Sequence, residues 1–145
     1  NNGSDPSKKF QRFDPLYGTP HKFWGNMDYF YLADGFGSNG LINYYIKSRY
    51  KPKESLTLLA DIHQFALPSA VKDEHGATLD KMLGTEIDIT ANYALTKMIS
   101  IEAGYSAMFS GKTLVSSGVK NIKNADEFSN WAYLMISIKP GFVLR

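Results

Sequence analysis

The clearest pattern in the chain is a two-residue alternation of apolar and polar side chains across Met82–Phe109. In its first half every second side chain is apolar, and the side chains between carry carboxylates, hydroxyls and an amide. The pattern breaks at Leu95–Lys97 and then resumes as far as Phe109. A period of two sustained over this length is typical of strands. The segment is therefore predicted to be a hairpin of two long strands.

The length of these strands indicates a membrane sheet. Strands of soluble proteins usually run about 5–6 residues, whereas tilted transmembrane strands need about 9–11. Both halves of Met82–Phe109 reach the longer range. The hairpin is therefore long enough to cross a bilayer with its apolar face towards lipid, and Ile89 and Ile101 are expected near the middle of their strands.

The same alternation predicts three further strands, at Leu41–Tyr50, Ser55–Phe65 and Trp131–Phe142. The connections alternate between short and long, in the order Lys51–Glu54, Ala66–Lys81, Leu95–Lys97 and Gly111–Asn130. Transmembrane barrels have short periplasmic turns and longer extracellular loops. If the short turns are periplasmic, the last strand ends in the periplasm, where the C-terminus of a bacterial barrel normally lies.

The predicted fold is all-β, an antiparallel portion of a transmembrane β-barrel with five long strands. Residues 41–145 are expected to supply C-terminal strands, and residues 1–40 an extracellular loop region. An aromatic cluster at Phe23–Tyr31 is predicted to fold back into the barrel mouth. Barrels of this kind begin at about eight strands, so the remaining strands are expected from upstream sequence or from another chain. The loop-like opening residues agree with a processed chain or a piece of a longer one.

Composition excludes some function classes but does not by itself indicate a membrane protein. A hydrophobic content of 43% and a mean hydropathy of -0.27 resemble those of a soluble protein. A transmembrane barrel has a similar balance because half of each strand faces water. The net charge of +2 is too small to indicate nucleic acid as a partner. The absence of cysteine excludes a disulfide scaffold and a thiolate metal site, and no cofactor is expected.

Candidate channel residues follow from the face on which each side chain falls. Polar rows would line a water-filled lumen, and their charged and ionisable members are Lys47, Arg49, Asp61, His63, Glu86, Asp88, Glu102 and Lys139. Apolar rows would face lipid and include Ile42, Leu58, Ile87, Ile89, Ile101, Leu134 and Ile136. Rings of charge bias ion passage, so the four lumen carboxylates are predicted to favour cations locally. Alternatively, Glu86, Asp88 and Glu102 could together bind a cation.

Two patterns suggest enzymatic or nucleotide chemistry. Gly35–Gly40 matches G-x-G-x-x-G, but a dinucleotide site needs a helix after this motif, and a strand is predicted there. Asp61 and His63 lie on one strand face, where a carboxylate could orient an imidazole. No serine or cysteine motif accompanies them, so the chain is not expected to be an enzyme.

Four segments are similar to one known family, namely Phe13–Tyr31 (FDPLYGTPHKFWGNMDYFY), Leu83–Thr90 (LGTEIDIT), Gly104–Phe109 (GYSAMF) and Trp131–Pro140 (WAYLMISIKP). They resemble the C-terminal region of alginate-export-type outer-membrane porins, especially Bacteroidetes-like members. The resemblance implies a bacterial outer-membrane barrel that acts as a diffusion channel for small hydrophilic solutes or saccharides. An exporter of a polyanion would line its pore with arginines, whereas these polar faces carry both signs of charge. Alginate is therefore not the expected solute.

Two alternatives from other classes remain open at this point. One is a soluble β-sandwich or small barrel that binds a ligand, such as a carbohydrate, through its aromatic residues. The other is a structural outer-membrane subunit within a larger complex. Extraction separates the first from a channel, because a soluble domain stays in the aqueous phase while a membrane barrel needs detergent.

Overall fold

Five antiparallel strands form one open sheet in the computed structural model, which describes residues 24–30, 40–120, 122 and 127–141. They are β1 (Ile42–Lys53), β2 (Leu56–Ala66), β3 (Met82–Ala94), β4 (Ile99–Ser110) and β5 (Phe128–Ile138), with one short helix, α1 (Lys112–Val115). Each strand pairs with the next in chain order. Within the described residues, β1 pairs only with β2 and β5 only with β4. The all-β prediction and the five strands are confirmed, and these strands do not close into a barrel.

Long strands and tight hairpins account for most of the sheet. The strands are between 11 and 13 residues long, beyond the usual length in soluble proteins. The central hairpin has the predicted position, with a turn at residues 95–98. The Thr96 hydroxyl closes this turn by accepting hydrogen bonds from the backbone N–H groups of Met98 and Ile99, at 3.1 and 3.0 Å.

The predicted turn at Lys51–Glu54 is wrong in its extent. β1 continues through Lys53, with a register shift between Tyr50 and Lys53. Proline removes a ladder hydrogen bond and is tolerated on edge strands and at bulges, which explains how Pro52 lies within β1. The Lys51 ammonium donates to Glu54 Oε2 at 2.9 Å, and this hydrogen bond lowers the pKa of the Glu54 carboxyl.

The last strand also differs from its predicted bounds of Trp131–Phe142. It begins at Phe128, whose ring packs against Phe109 on β4 with centroids 5.2 Å apart. It ends at Ile138, and Phe142 lies outside the described residues. The loop predicted at Gly111–Asn130 is shortened accordingly and contains α1.

The hydrophobic core lies at the end of the sheet from which the long loops leave. Its fully buried side chains are Phe30, Phe65, Leu67, Leu83, Met108 and Leu114. Burying one such side chain contributes about 1.5–3 kcal/mol. The loop after β2 contributes Leu67 and Val71 to this core. The core therefore packs the long loops against one end of the sheet, while the short turns lie at the other end.

Helices contribute little to the described structure. α1 has four residues, and no helix in the described part of the chain is long and apolar enough to span a membrane.

Candidate functional site

The strand register places the predicted polar residues together on one face of the sheet, which we call the polar face. Lys47 pairs with Asp61, Asp61 with Asp88, and Asp88 with Ser106, so one row of polar side chains crosses four strands. His63 pairs with Glu86 in the next row towards the long loops.

Three more of the predicted polar residues lie towards the short turns. Arg49 pairs with Leu59, and Glu102 pairs with Asn92. Lys139 lies just beyond β5, where its backbone N–H donates to the Met98 carbonyl at 2.8 Å. Lys139 is therefore at the margin of the sheet and not within the polar rows.

The opposite face, which we call the apolar face, carries all seven residues predicted to face lipid, namely Ile42, Leu58, Ile87, Ile89, Ile101, Leu134 and Ile136. Many of its large side chains are exposed, with Ile46 at 72%, Leu134 at 71% and Ile89 at 52%. Ile89 lies near the middle of β3, but Ile101 is the third residue of β4 and lies close to the short turn. The expectation that Ile101 is central was wrong.

His63 is held by a hydrogen-bonded network on the polar face. Its Nδ1 lies 3.1 Å from Asn43 Oδ1, and its Nε2 lies 3.4 Å from the Lys47 ammonium. An ammonium only donates, so Nε2 accepts and Nδ1–H donates to Asn43, which makes the imidazole neutral. Lys47 also pairs with Asp61 Oδ2 at 2.5 Å. Asn43, and not Asp61, therefore orients this ring.

Glu102 does not join Glu86 and Asp88, although the sequence grouped the three as a possible cation site. Its cross-strand partner Asn92 lies six residues beyond Glu86 along β3 (92 − 86 = 6), a separation of about 20 Å in a strand. Its carboxylate accepts a hydrogen bond from the Tyr133 hydroxyl at 2.6 Å. The predicted carboxylate triad is therefore not formed.

Residues 24–30, which we call the aromatic segment, lie on the polar face near the long loops. The Phe30 ring packs on Phe65 with centroids 4.4 Å apart. The Tyr29 hydroxyl donates to Ser129 Oγ at 2.7 Å, and the Met27 N–H donates to Glu86 Oε1 at 2.8 Å. The segment thus contacts three strands and covers part of the polar rows. Phe23 and Tyr31, the ends of the predicted cluster, lie outside the described residues.

The second long loop also holds the aromatic segment. The Lys120 ammonium donates to the Tyr29 carbonyl at 2.5 Å and lies 5.6 Å from the centroid of the Phe30 ring. This charge-assisted hydrogen bond and the cation–π contact together hold the aromatic segment in place.

Burial on the polar face is greatest around Glu86, which accepts a hydrogen bond from the aromatic segment. His63, Glu86 and Ser106 are fully buried, and Asp88 is 3% exposed. The sequence analysis did not single out Ser106, which the alternation of β4 would have placed opposite Asp88. It also missed Trp131 and Tyr133, whose stacked rings lie 4.8 Å apart on the polar face of β5.

The remaining sequence motif does not form a nucleotide site. Of the G-x-G-x-x-G stretch only Gly40 is described, and the strand β1 follows it. The helix that a dinucleotide motif requires is replaced by the predicted strand.

Among the described residues, no group of three or more His, Asp or Glu side chains is arranged to hold a metal ion. No protein-family model, curated protein or solved structure matches this chain.

Proposed function

We propose that this sheet is part of the wall of a bacterial outer-membrane β-barrel channel for passive diffusion of small hydrophilic solutes or saccharides. The observation that carries the proposal is the reversed burial of the two faces. Ile46 and Leu134 on the apolar face are exposed, whereas Glu86 and Asp88 on the polar face are buried. A soluble sheet covers its apolar face and leaves its polar face in water. A transmembrane barrel needs the opposite arrangement, with apolar side chains towards lipid.

Strand length supports the same proposal. Each strand has at least 11 residues, and a tilted strand needs about 9–11 to cross the hydrocarbon core. Exposed apolar residues extend along the strands, from Tyr105 and Phe109 to Ile136 and Ile138. The exposed apolar band is therefore long enough, measured along the strands, to face the hydrocarbon core of a membrane.

The open edges of the sheet define the first partner in this proposal. Edge strands have backbone N–H and C=O groups without ladder partners, and hydrocarbon cannot satisfy them. β1 and β5 would therefore pair with further strands of the same barrel, from other parts of the same protein or from another chain. Outer-membrane lipid is the second partner, on the apolar face.

The polar face supports a lumen with little positive charge. Lys47 is neutralised by Asp61 at 2.5 Å, and His63 is neutral in its hydrogen-bonded geometry. Carboxylates and hydroxyls make up much of the rest of the polar face. Solutes would be filtered by pore width and local charge. The aromatic segment would narrow the lumen on the side of the long loops, which would face the outside of the cell if the short turns are periplasmic.

Reconstitution of the complete protein tests the proposal. The protein should require detergent for extraction from membranes, and it should make liposomes permeable to small neutral sugars at a rate that falls with sugar size. Heat-denatured protein is the control. Recovery in the aqueous phase would instead support a soluble ligand-binding module. Detergent extraction without permeability, together with co-eluting chains, would indicate a structural subunit.

A further inference from the structure

Three neighbouring side chains on the polar face have buried oxygen atoms without hydrogen-bond partners. These atoms are Glu86 Oε2, both carboxylate oxygens of Asp88 and the hydroxyl oxygen of Ser106. Glu86 and Ser106 are fully buried, and Asp88 is 3% exposed. Buried polar groups almost always have partners. Four such atoms in one place therefore indicate that a positively charged group binds there.

The sheet register brings these oxygens together. Asp88 and Ser106 are direct partners across β3 and β4, so their Cβ atoms are about 4.5–5.5 Å apart. Glu86 precedes Asp88 by two residues on the same face, and the two carboxyl groups are close enough for a direct hydrogen bond if one is protonated. As carboxylates neither can donate, and their charges repel.

No positive side chain among the described residues pairs with either carboxylate. Lys47 pairs with Asp61, and the Lys120 ammonium donates to the Tyr29 carbonyl. Glu86 Oε1 accepts the Met27 N–H, which leaves Oε2 and the whole Asp88 carboxylate. Burying a charge without a partner costs several kcal/mol. A shared proton would satisfy only Glu86 Oε2 and one Asp88 oxygen, whereas a cation would satisfy all four atoms.

We propose that Glu86, Asp88 and Ser106 form a binding site for a hard divalent cation of the Ca²⁺ type. Carboxylate and hydroxyl oxygens without nitrogen or sulfur suit Ca²⁺, which takes 6–8 oxygen ligands in flexible geometry. Water would complete the coordination, because the site has only two charged ligands. The affinity should be weak, about 10⁻⁴–10⁻³ M, as in extracellular calcium modules. The site goes beyond the proposed channel and does not depend on it, since the pairing of β3 with β4 positions two of its ligands and Glu86 lies on the same strand face.

The cation would also stabilise the aromatic segment. Glu86 binds the Met27 N–H through one oxygen and the cation through the other. An ion at this site therefore relieves the repulsion from Asp88 and leaves Glu86 ionised, the form that best accepts the Met27 hydrogen bond. Calcium binding and closure of the segment over the polar face should consequently be coupled.

Calcium titration of the complete, chelator-treated protein in detergent tests the site. Isothermal calorimetry should detect binding in the range given above, and Trp131, the cross-strand partner of Ser106, should change its fluorescence in a way that chelator reverses. Asp88→Asn should weaken binding at least tenfold, which is about 1.4 kcal/mol, and Ser106→Ala should weaken it by a smaller factor. Glu102→Gln is the matched control, because it removes one charge from the same face at a carboxylate already bonded by Tyr133.

These binding experiments test the calcium site independently of whether the protein transports solutes. Absence of calcium binding to the unmodified protein at about ten times the weakest expected dissociation constant would overturn it. Equal weakening by Asp88→Asn and Glu102→Gln would also overturn it, since that result indicates diffuse attraction to the polar face. If Asp88→Asn does not fold, the thermal shift decides: calcium should raise the melting temperature of the unmodified protein more than that of Ser106→Ala. A protein that binds calcium but does not permeabilise liposomes would retain this site and lose the proposed channel.

Discussion

The ring of Tyr133 lies flat against Gly104 on the neighbouring strand, in the place that a side chain would occupy. A Cβ atom on Gly104 would overlap the Cε1, Cζ and Cδ1 atoms of this ring. The hydroxyl of the same tyrosine donates to Glu102 Oε1 at 2.6 Å. Glycine therefore allows an aromatic residue to cover the strand and to bond a carboxylate at the same time, an arrangement known to stabilise glycine positions in sheets.

Gly104→Ala should displace Tyr133 and destabilise the protein by about 1–3 kcal/mol, the usual range for overpacking. Gly141→Ala is the control, because a Cβ atom there has nothing within 4 Å. The measurement is the urea midpoint of the complete protein in detergent. In the double variant with Tyr133→Ala the two losses should be less than additive. Equal midpoints for the two alanine variants would contradict the role assigned to the glycine.

Ile89→Arg should impair assembly of the proposed barrel, because Ile89 lies near the middle of β3 and is 52% exposed on the apolar face. Arginine at the midplane of a barrel's lipid face costs about 2–4 kcal/mol. Asn92→Arg on the polar face of the same strand is the matched control and should assemble normally. Heat-modifiability on gels measures the folded fraction. If both variants fold equally well, lipid does not cover the apolar face.

The sequence was sufficient to predict the strands because their alternation is long and regular. Each strand of at least 11 residues repeats its pattern several times, so the face of a residue such as Asp88 or Ile89 follows from parity alone. Register then follows from hairpins with short turns. This is why the residue sets predicted for lumen and lipid fall on opposite faces, apart from Lys139, which lies just beyond β5.

Contacts that depend on long-range folding could not be predicted in this way. Met27 and Glu86 are 59 residues apart, and nothing local indicates that the aromatic segment meets β3. The grouping of Glu86 with Glu102 is a different case, because parity gives the face but not the distance along the strand. The short turn between β3 and β4 fixes that distance, and it pairs Glu102 with Asn92. Lys51–Glu54 was predicted to be a turn, but Pro52 is tolerated within β1 because β1 is an edge strand of the described sheet and its register shifts between Tyr50 and Lys53.

Lys47→Gln should increase cation preference in planar-bilayer recordings. Lys47 neutralises Asp61 at 2.5 Å, so its loss releases a negative charge on the polar face and adds to local cation attraction. Asp61→Asn should shift the reversal potential in the opposite direction. Lys51→Gln is the control, since it breaks a comparable pair with Glu54 in the short turn. Unchanged potentials in all three variants would place this face outside the conducting path.

Backbone amides of β1 and β5 should be as protected from hydrogen exchange as those of β3 in the assembled protein. Within the described residues both edge strands have one neighbour, so half of their amides would exchange rapidly in an open sheet. Neighbouring strands of a barrel would slow them to the level of the central strands. Residue-resolved exchange in detergent provides the measurement. Fast exchange at alternate positions of either edge would show that the edge is free.

Gly25→Ala should release the aromatic segment from the polar face. Gly25 has φ +85°, and a Cβ atom there would overlap the carboxylate of Glu86. Gly76→Ala is a closely matched control: Gly76 has φ +80°, but a Cβ atom there has nothing within 4 Å. Both variants carry a backbone cost of about 1–2 kcal/mol for the left-handed conformation, so any further loss in Gly25→Ala comes from the contact with Glu86. Limited proteolysis should cut the chain within residues 24–30 faster in Gly25→Ala only, and single-channel conductance should rise. If both variants are cut at this segment at the unmodified rate, the hydrogen bond between Met27 and Glu86 does not hold the segment in place.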